Sequence, residues 1–233
     1  MKKHFIEGLL IFLSVLSAFF LESYRLGRSD IKLKNNLMLE LSSSIKEDLR
    51  QINDVKLVLT ESMNSGKVLL EDFLSDDKQN KEVVAENFSK LWSMNISYFP
   101  REGIYNQLLA TGSLETIKEE KLKAKLMSVY EHAMSRKEAI DNTIDEFVWR
   151  SMQSSSKDIW ITNEFWDGGS NLIIQDYKRN ISKFHISENY YKSSFLGSFY
   201  SHSVTVMARY LSILIRIEED FSEIQKLIEE KLK

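Results

Sequence analysis

Four histidines, His4, His132, His185 and His202, are the first side chains to test for metal or acid–base chemistry. None lies three or four residues from another, so no helix would present two imidazoles on one face, and no His-Glu-x-x-His pair exists. A di-iron bundle needs inward Glu-x-x-His pairs; Glu131-His132 and His185 with Glu188 have the wrong spacing. The chain has no cysteine, which excludes a thiol nucleophile, a disulfide framework, a zinc ribbon and an iron–sulfur site. Gly168-Gly169-Ser170 lacks the Gly-Lys-Ser/Thr continuation of a phosphate cradle and reads as a turn. No Gly-x-Ser-x-Gly elbow occurs. The acidic runs Glu218-Glu219-Asp220 and Glu229-Glu230 read as the solvated face of a helix. The expectation is therefore a protein without catalysis, cofactor or metal.

Two aromatic groups remain. Trp160-Ile161-Thr162-Asn163-Glu164-Phe165-Trp166-Asp167 combines three large rings with two acids in a stretch without helical periodicity. Trp160, Glu164, Phe165, Trp166 and Asp167 are thus candidates for a partner-binding loop, because aromatic side chains dominate binding hot spots. The competing reading is that these rings cap the end of a core. Tyr190, Tyr191, Phe195, Phe199 and Tyr200 form the second group, which reads as core filling ahead of a ligand groove.

These residues must be held by long helices. The chain has 233 residues and a single proline, so helices can run far without a break. Leu37, Leu41, Ile45, Leu49, Ile52, Val55 and Leu59 step by threes and fours, and Val68, Leu69, Phe73 and Leu74 continue the stripe. Further helices are expected over 82–92 and 101–110, the second closed by Gly112 in a left-handed conformation, with Ser113 capping the next helix. Leu122, Leu126, Val129, Ala133, Ile140, Ile144 and Phe147 predict a helix over 118–153. Residues 154–170 read as the longest loop. A final helix is predicted over 188–231, and its Leu214, Ile217, Phe221, Ile224 and Ile228 alternate as in a coiled-coil seam. No hairpin signal is visible, so no sheet is expected. The fold class is all-α: an N-terminal transmembrane helix, then an antiparallel bundle of about four long helices.

The N-terminus differs from the rest. An uncharged run from Gly8 to Leu21 is too short to span by itself, but Phe5 to Leu26 makes a helix of about 33 Å, enough for a hydrocarbon core of about 30 Å. Glu7 and Glu22 would then sit at the two interfaces, with Tyr24 and Arg25 at one boundary and Lys2 and Lys3 at the other. A cleaved signal peptide and a buried core helix are the rival readings. The large Leu16 where a small residue is preferred, before Ser17-Ala18, argues against cleavage. Glu7, Gly8, Leu13, Phe19 and Tyr24 are the marker residues of this anchor, residues 1–28, ahead of a soluble domain of 29–233. Net charge is −3 for the whole chain. Removing the anchor's four basic and two acidic residues leaves the soluble part at −5, unsuited to lying flat on an anionic lipid surface or on a phosphate backbone, so no nucleic-acid partner is expected. The absence of cysteine favours an extracytoplasmic soluble part.

Two blocks carry a resemblance. Glu7-Gly8-Leu9-Leu10-Ile11 through Ala18-Phe19-Phe20-Leu21-Glu22, and Ile104-Tyr105-Asn106-Gln107-Leu108-Leu109-Ala110-Thr111-Gly112-Ser113-Leu114-Glu115-Thr116-Ile117, resemble the membrane helix and the helix–Gly–helix element of a bacterial family termed domain of unknown function 6090. Glu22-Ser23-Tyr24 departs from it, where relatives carry an Asn-rich turn ending in Trp. The resemblance implies a single-pass protein of the bacterial inner membrane with a helical soluble domain, and it brings no activity with it. The expected role is that of an interaction or scaffolding subunit with a protein partner or a second copy. A ligand-sensing domain is the alternative.

Overall fold

The computed structural model describes residues 2–163 and 181–232, and its described part is mostly helical. Helix α1 runs unbroken over Lys2–Leu74, so the apolar N-terminal segment and the first leg of the bundle are one rod. Seventy-three residues at about 1.5 Å each give a helix of about 110 Å. From Leu10 to Leu26 the apolar side chains of α1 are exposed, while its later part is buried from Leu37 onward.

The chain returns along α1 through α2, Lys81–Trp92, and α3, Gly103–Ala110. Asn80 caps α2 by accepting a hydrogen bond from the Glu82 N–H at 3.0 Å. Helix α3 starts at Gly103, and Pro100 lies in the extended stretch before it. This leg is two short helices joined by extended chain, which departs from four long ones. Gly112 takes φ 69°, as expected for the residue that ends a helix, and a 3₁₀ turn comes next over Ser113–Thr116. Ser113 is buried in that turn and accepts from the Thr111 hydroxyl, so it does not cap a helix.

The third leg is α4, Glu120–Met127, a π-helical turn, Ser128–Ala133, and α5, Met134–Ser155. The extra residue of the π turn explains why the buried stripe differs from the expected one. Leu122, Leu126 and Val129 face inward, then the stripe continues through Tyr130, Met134, Lys137, Ile144, Val148, Ser151 and Ser155, with Met134 and Val148 in place of Ala133 and Phe147 and Ile144 inward as expected. Ala133, Ile140 and Phe147 end up at its edge, half-buried.

The absence of a sheet is overturned. Strand β1, Ile159–Asn163, pairs antiparallel with β2, Ile181–Ile186, with Ile159 opposite Ile186 and Trp160 opposite His185. Ile-Trp-Ile-Thr is β-branched and aromatic, as strands favour, but its partner lies far along the chain, without the tight turn that marks a short hairpin. A 3₁₀ turn, Tyr190–Lys192, leads into the final helix α6, Ser194–Leu232, six residues later than expected.

α6 lies antiparallel along α1. The Gln225 side chain donates to the Ser42 carbonyl, Lys56 pairs with Glu218, Gly66 meets Val204 and Met207, and Gly197 meets Phe73. Both helices bury a strict three–four alternation: Leu41, Ile45, Asp48, Ile52, Val55, Leu59 and Ser62 on α1, and Leu196, Tyr200, Ser203, Met207, Tyr210, Leu214, Ile217, Phe221, Ile224 and Ile228 on α6. That is the periodicity of a left-handed supercoiled pair. At the Gly66 and Gly197 crossings a Cβ would meet Leu91 at 3.2 Å and the Phe73 ring at 3.0 Å, so the absence of a side chain sets how closely the legs approach.

Candidate functional site

A polar layer crosses the middle of the bundle. Asp48 occupies a seam position of α1 between Ile45 and Ile52 and is fully buried. Its Oδ1 accepts a hydrogen bond from the Arg101 N–H at 3.2 Å, while Oδ2 has no protein partner. Tyr98 and Tyr130, carried by the extended leg and by the π turn, also have buried hydroxyls without a protein partner. Tyr105 stacks on Tyr130 with ring centroids 4.4 Å apart and donates to Glu131 at 2.8 Å. On the opposite side the Tyr210 hydroxyl accepts from the Tyr98 N–H at 3.0 Å. Lys137, buried on α5, pairs with Asp141 at 2.6 Å and lies 5.7 Å from the Tyr98 ring centroid.

The electrostatics come from enclosure. Burial raises the Asp48 carboxyl to about 6, against the pull of the Arg101 N–H and guanidinium and the neighbouring Tyr98 hydroxyl. Burial likewise pushes Tyr98, Tyr130 and Tyr210 far above the ordinary phenol range, so these hydroxyls stay protonated. Asp48 and Tyr98 are both fully buried, so this layer can hold or release a proton but offers no surface to a substrate. Hydrophobic periodicity passes over it because Leu49, beside Asp48, also fits a stripe of threes and fours. Strict heptad bookkeeping puts Asp48 on the seam. Tyr130 and Lys137 carry no such signal, because the π turn reassigns their faces.

At the end of the bundle away from the apolar segment, Trp160 is 44% exposed on the outer face of the hairpin, stacked on His185 with centroids 5.8 Å apart. Glu164, Phe165, Trp166 and Asp167 lie outside the described residues, as does Gly168-Gly169-Ser170. Met152 of α5 lines one cavity with Trp160, and Trp149, one turn before Met152, is exposed on the same helix; the sequence places both in a helix with no mark of a surface role. That cavity, of about 270 Å³, is lined by Phe88, Trp92, Met152, Ser155, Ile159 and Trp160 among others. Behind its Phe88 and Trp92 walls stands the second aromatic group. Phe199 touches the rings of Phe88, Trp92, Phe147, Phe195 and Tyr200, and Tyr190 and Tyr200 share a buried hydroxyl–hydroxyl bond of 2.8 Å. Tyr191 donates to the buried Asp72 at 2.9 Å, and the Gln79 N–H donates to the same carboxylate at 2.7 Å, tying the α1–α2 loop to the entry of α6.

The acidic run on α6 is more than solvated surface. Glu218 pairs with Lys56 across the helices, and Asp220 with Lys125 at 2.5 Å, both acids three-quarters or more buried. Lys121 and Lys125 together hold the Glu223 carboxyl down at about 2. His132, His185 and His202 are exposed and far apart in the fold, and among the described residues no group of three or more His, Asp or Glu could hold a metal ion.

Of the anchor markers, Glu7 belongs to α1, and Gly8, Leu13, Phe19 and Tyr24 are exposed on it, with Arg28 5.1 Å from the Tyr24 ring centroid. Helix α1 is long and apolar enough near the N-terminus to cross a membrane: its best window has a mean hydropathy of 1.4 and no buried residue. No family model matches the chain, and neither a curated protein nor a solved structure is similar to it.

Proposed function

We propose that the chain is a single-pass protein of the bacterial inner membrane whose antiparallel helical bundle acts by contact, as an interaction or scaffolding subunit without catalysis. The observation that carries this reading is α1: one uninterrupted helix exposes an apolar stretch from Leu10 to Leu26 and builds the seam of the bundle with its later part. The resemblance to the domain of unknown function 6090 family accords with this, since residues 104–117 form a helix, a left-handed Gly112 and a turn.

The docking face is the exposed group Trp149, Met152 and Trp160, and its partner is another protein. The apolar seam of α6 is buried within the bundle, which supports a different protein as partner over a second copy packed through that seam. A photo-reactive residue placed at Trp149 or Trp160 in native membranes should yield a discrete cross-linked protein, and one at the exposed Lys67 should not. Equal yields at all three sites overturn the docking assignment.

The 270 Å³ cavity supports a second reading, a domain that senses a small apolar ligand. Trp92 and Trp160 line it, so a ligand entering there changes tryptophan fluorescence in the full chain, and a W92F variant loses part of that change.

Orientation has opposing signals. The absence of cysteine favours an extracytoplasmic bundle. Arg25, Arg28, Lys32 and Lys34 against Lys2 and Lys3 favour a cytoplasmic one under the positive-inside tendency. A cysteine-free chain makes the test direct, because the single substitution K67C reports through an impermeant maleimide on intact cells. Labelling before lysis places the bundle outside, and labelling only after lysis places it inside.

A further inference from the structure

At the end of the bundle where α1 leaves it towards the apolar segment, a shallow groove of about 120 Å³ lies between three elements. Met38 of α1, Ile117 and Leu122 around the start of α4, and Ile228 of α6 form its apolar floor. Lys34, Lys118 and Lys231, one from each of these parts of the chain, stand around it. Lys231 also pairs with Glu119 at 3.4 Å, whereas Lys34 and Lys118 take part in no ion pair among the described residues. An apolar floor with a cationic rim suits an anionic amphiphile.

Its position selects which one. If α1 spans from Phe5 to Leu26, Lys34 is eight residues beyond the hydrocarbon edge, about 12 Å along the axis. The headgroup layer itself takes about 5–8 Å on each side, and a lysine side chain bridges most of the remaining distance. Arg25 and Arg28 occupy the intervening turns of the same helix. Arg25 is held by Glu22 at 2.8 Å, which leaves Arg28 and Lys32 as further cations on this stretch of the helix.

We propose that this groove seats the headgroup of an anionic phospholipid from the same bilayer, with Lys34 and Lys118 binding its phosphate and the headgroup carbons resting on Met38, Ile117, Leu122 and Ile228. The lipid fixes the bundle against the membrane surface. This rests on the anchor reading above, and the experiment separates the two.

The full chain is placed in nanodiscs of phosphatidylcholine alone, or of phosphatidylcholine mixed with phosphatidylglycerol, and its thermal midpoint and retained lipids are measured. Phosphatidylglycerol should raise the midpoint and remain bound in native mass spectrometry. The K34Q/K118Q variant should lose both effects, each lysine contributing roughly fivefold in lipid affinity. K67Q/K81Q, with the same change of charge on exposed sites at the other end, should keep them. Equal responses of the two double variants overturn the proposal, and so does an equal rise caused by inorganic phosphate in phosphatidylcholine discs. Release of the chain from membranes by alkaline carbonate overturns the anchor reading itself; retention without a phosphatidylglycerol preference overturns the lipid site alone.

Discussion

The two ends of the bundle are built from different materials. Towards the apolar segment, α1 and α6 meet mainly through aliphatic side chains, Leu41, Ile45 and Ile52 against Ile217, Ile224 and Ile228, with Phe221 the one ring among them on α6 and ion pairs such as Lys56–Glu218 and Lys125–Asp220 along the edges. At the far end the core is aromatic, centred on Phe199 and fixed by Tyr190–Tyr200 and Tyr191–Asp72 hydrogen bonds. Aliphatic seams accept neighbours of similar volume, whereas rings in edge and stacked contacts demand particular geometry. The first end is a repeated contact between two long helices. The second gathers α1, α2, α5, the hairpin and the start of α6 at one point, so it decides how the chain turns back.

The largest effect should separate these ends. Phe199→Ala should cost about 3–5 kcal/mol in denaturant unfolding of the detergent-solubilised chain, and Ile224→Val about 0.5–1.5 kcal/mol. Equal costs would show that the aromatic end is not the more demanding of the two. The polar layer between them comes next. A carboxyl held at about 6 in the fold against an ordinary 3.8 is destabilising once ionised, by about 3 kcal/mol. Folded chains keep this proton where unfolded chains have released it, so stability from this group is greatest below pH 4 and falls as pH rises towards 6. Asp48→Asn should therefore raise the thermal midpoint at pH 7.5, with the gain shrinking as pH approaches 4. A gain independent of pH would point to packing instead of charge. The smallest effect belongs to the edges: Lys56→Gln should cost about 1 kcal/mol or less, because its pair with Glu218 is partly solvated.

How much of this could be read in advance depends on whether the code is local. The α6 seam was legible because Leu214 to Ile228 alternate without interruption and each is buried. Gly112 was legible because a left-handed helix end selects glycine. The third leg was legible as a helix but only partly in its inner face: around the π turn and after it Met134 and Val148 replace Ala133 and Phe147, while Ile144 keeps its expected place. The hairpin was hidden because strand pairing across a long intervening segment leaves no trace in either strand alone. Asp48 was hidden for a different reason: hydrophobic periodicity finds seams by their apolar members and steps over a carboxylate that occupies the same position. Trp160 was noticed for its type, but Trp149 and Met152 join it only through the fold.

The unbroken course of α1 has a mechanical meaning. A helix without a hinge cannot tilt at one end alone, so residues 2–26 and the bundle form a single lever. Where that segment lies in a bilayer, a thinner membrane that increases its tilt swings the far end sideways. A displacement of a few ångströms at the near end of such a lever is enlarged at the hairpin that carries Trp160.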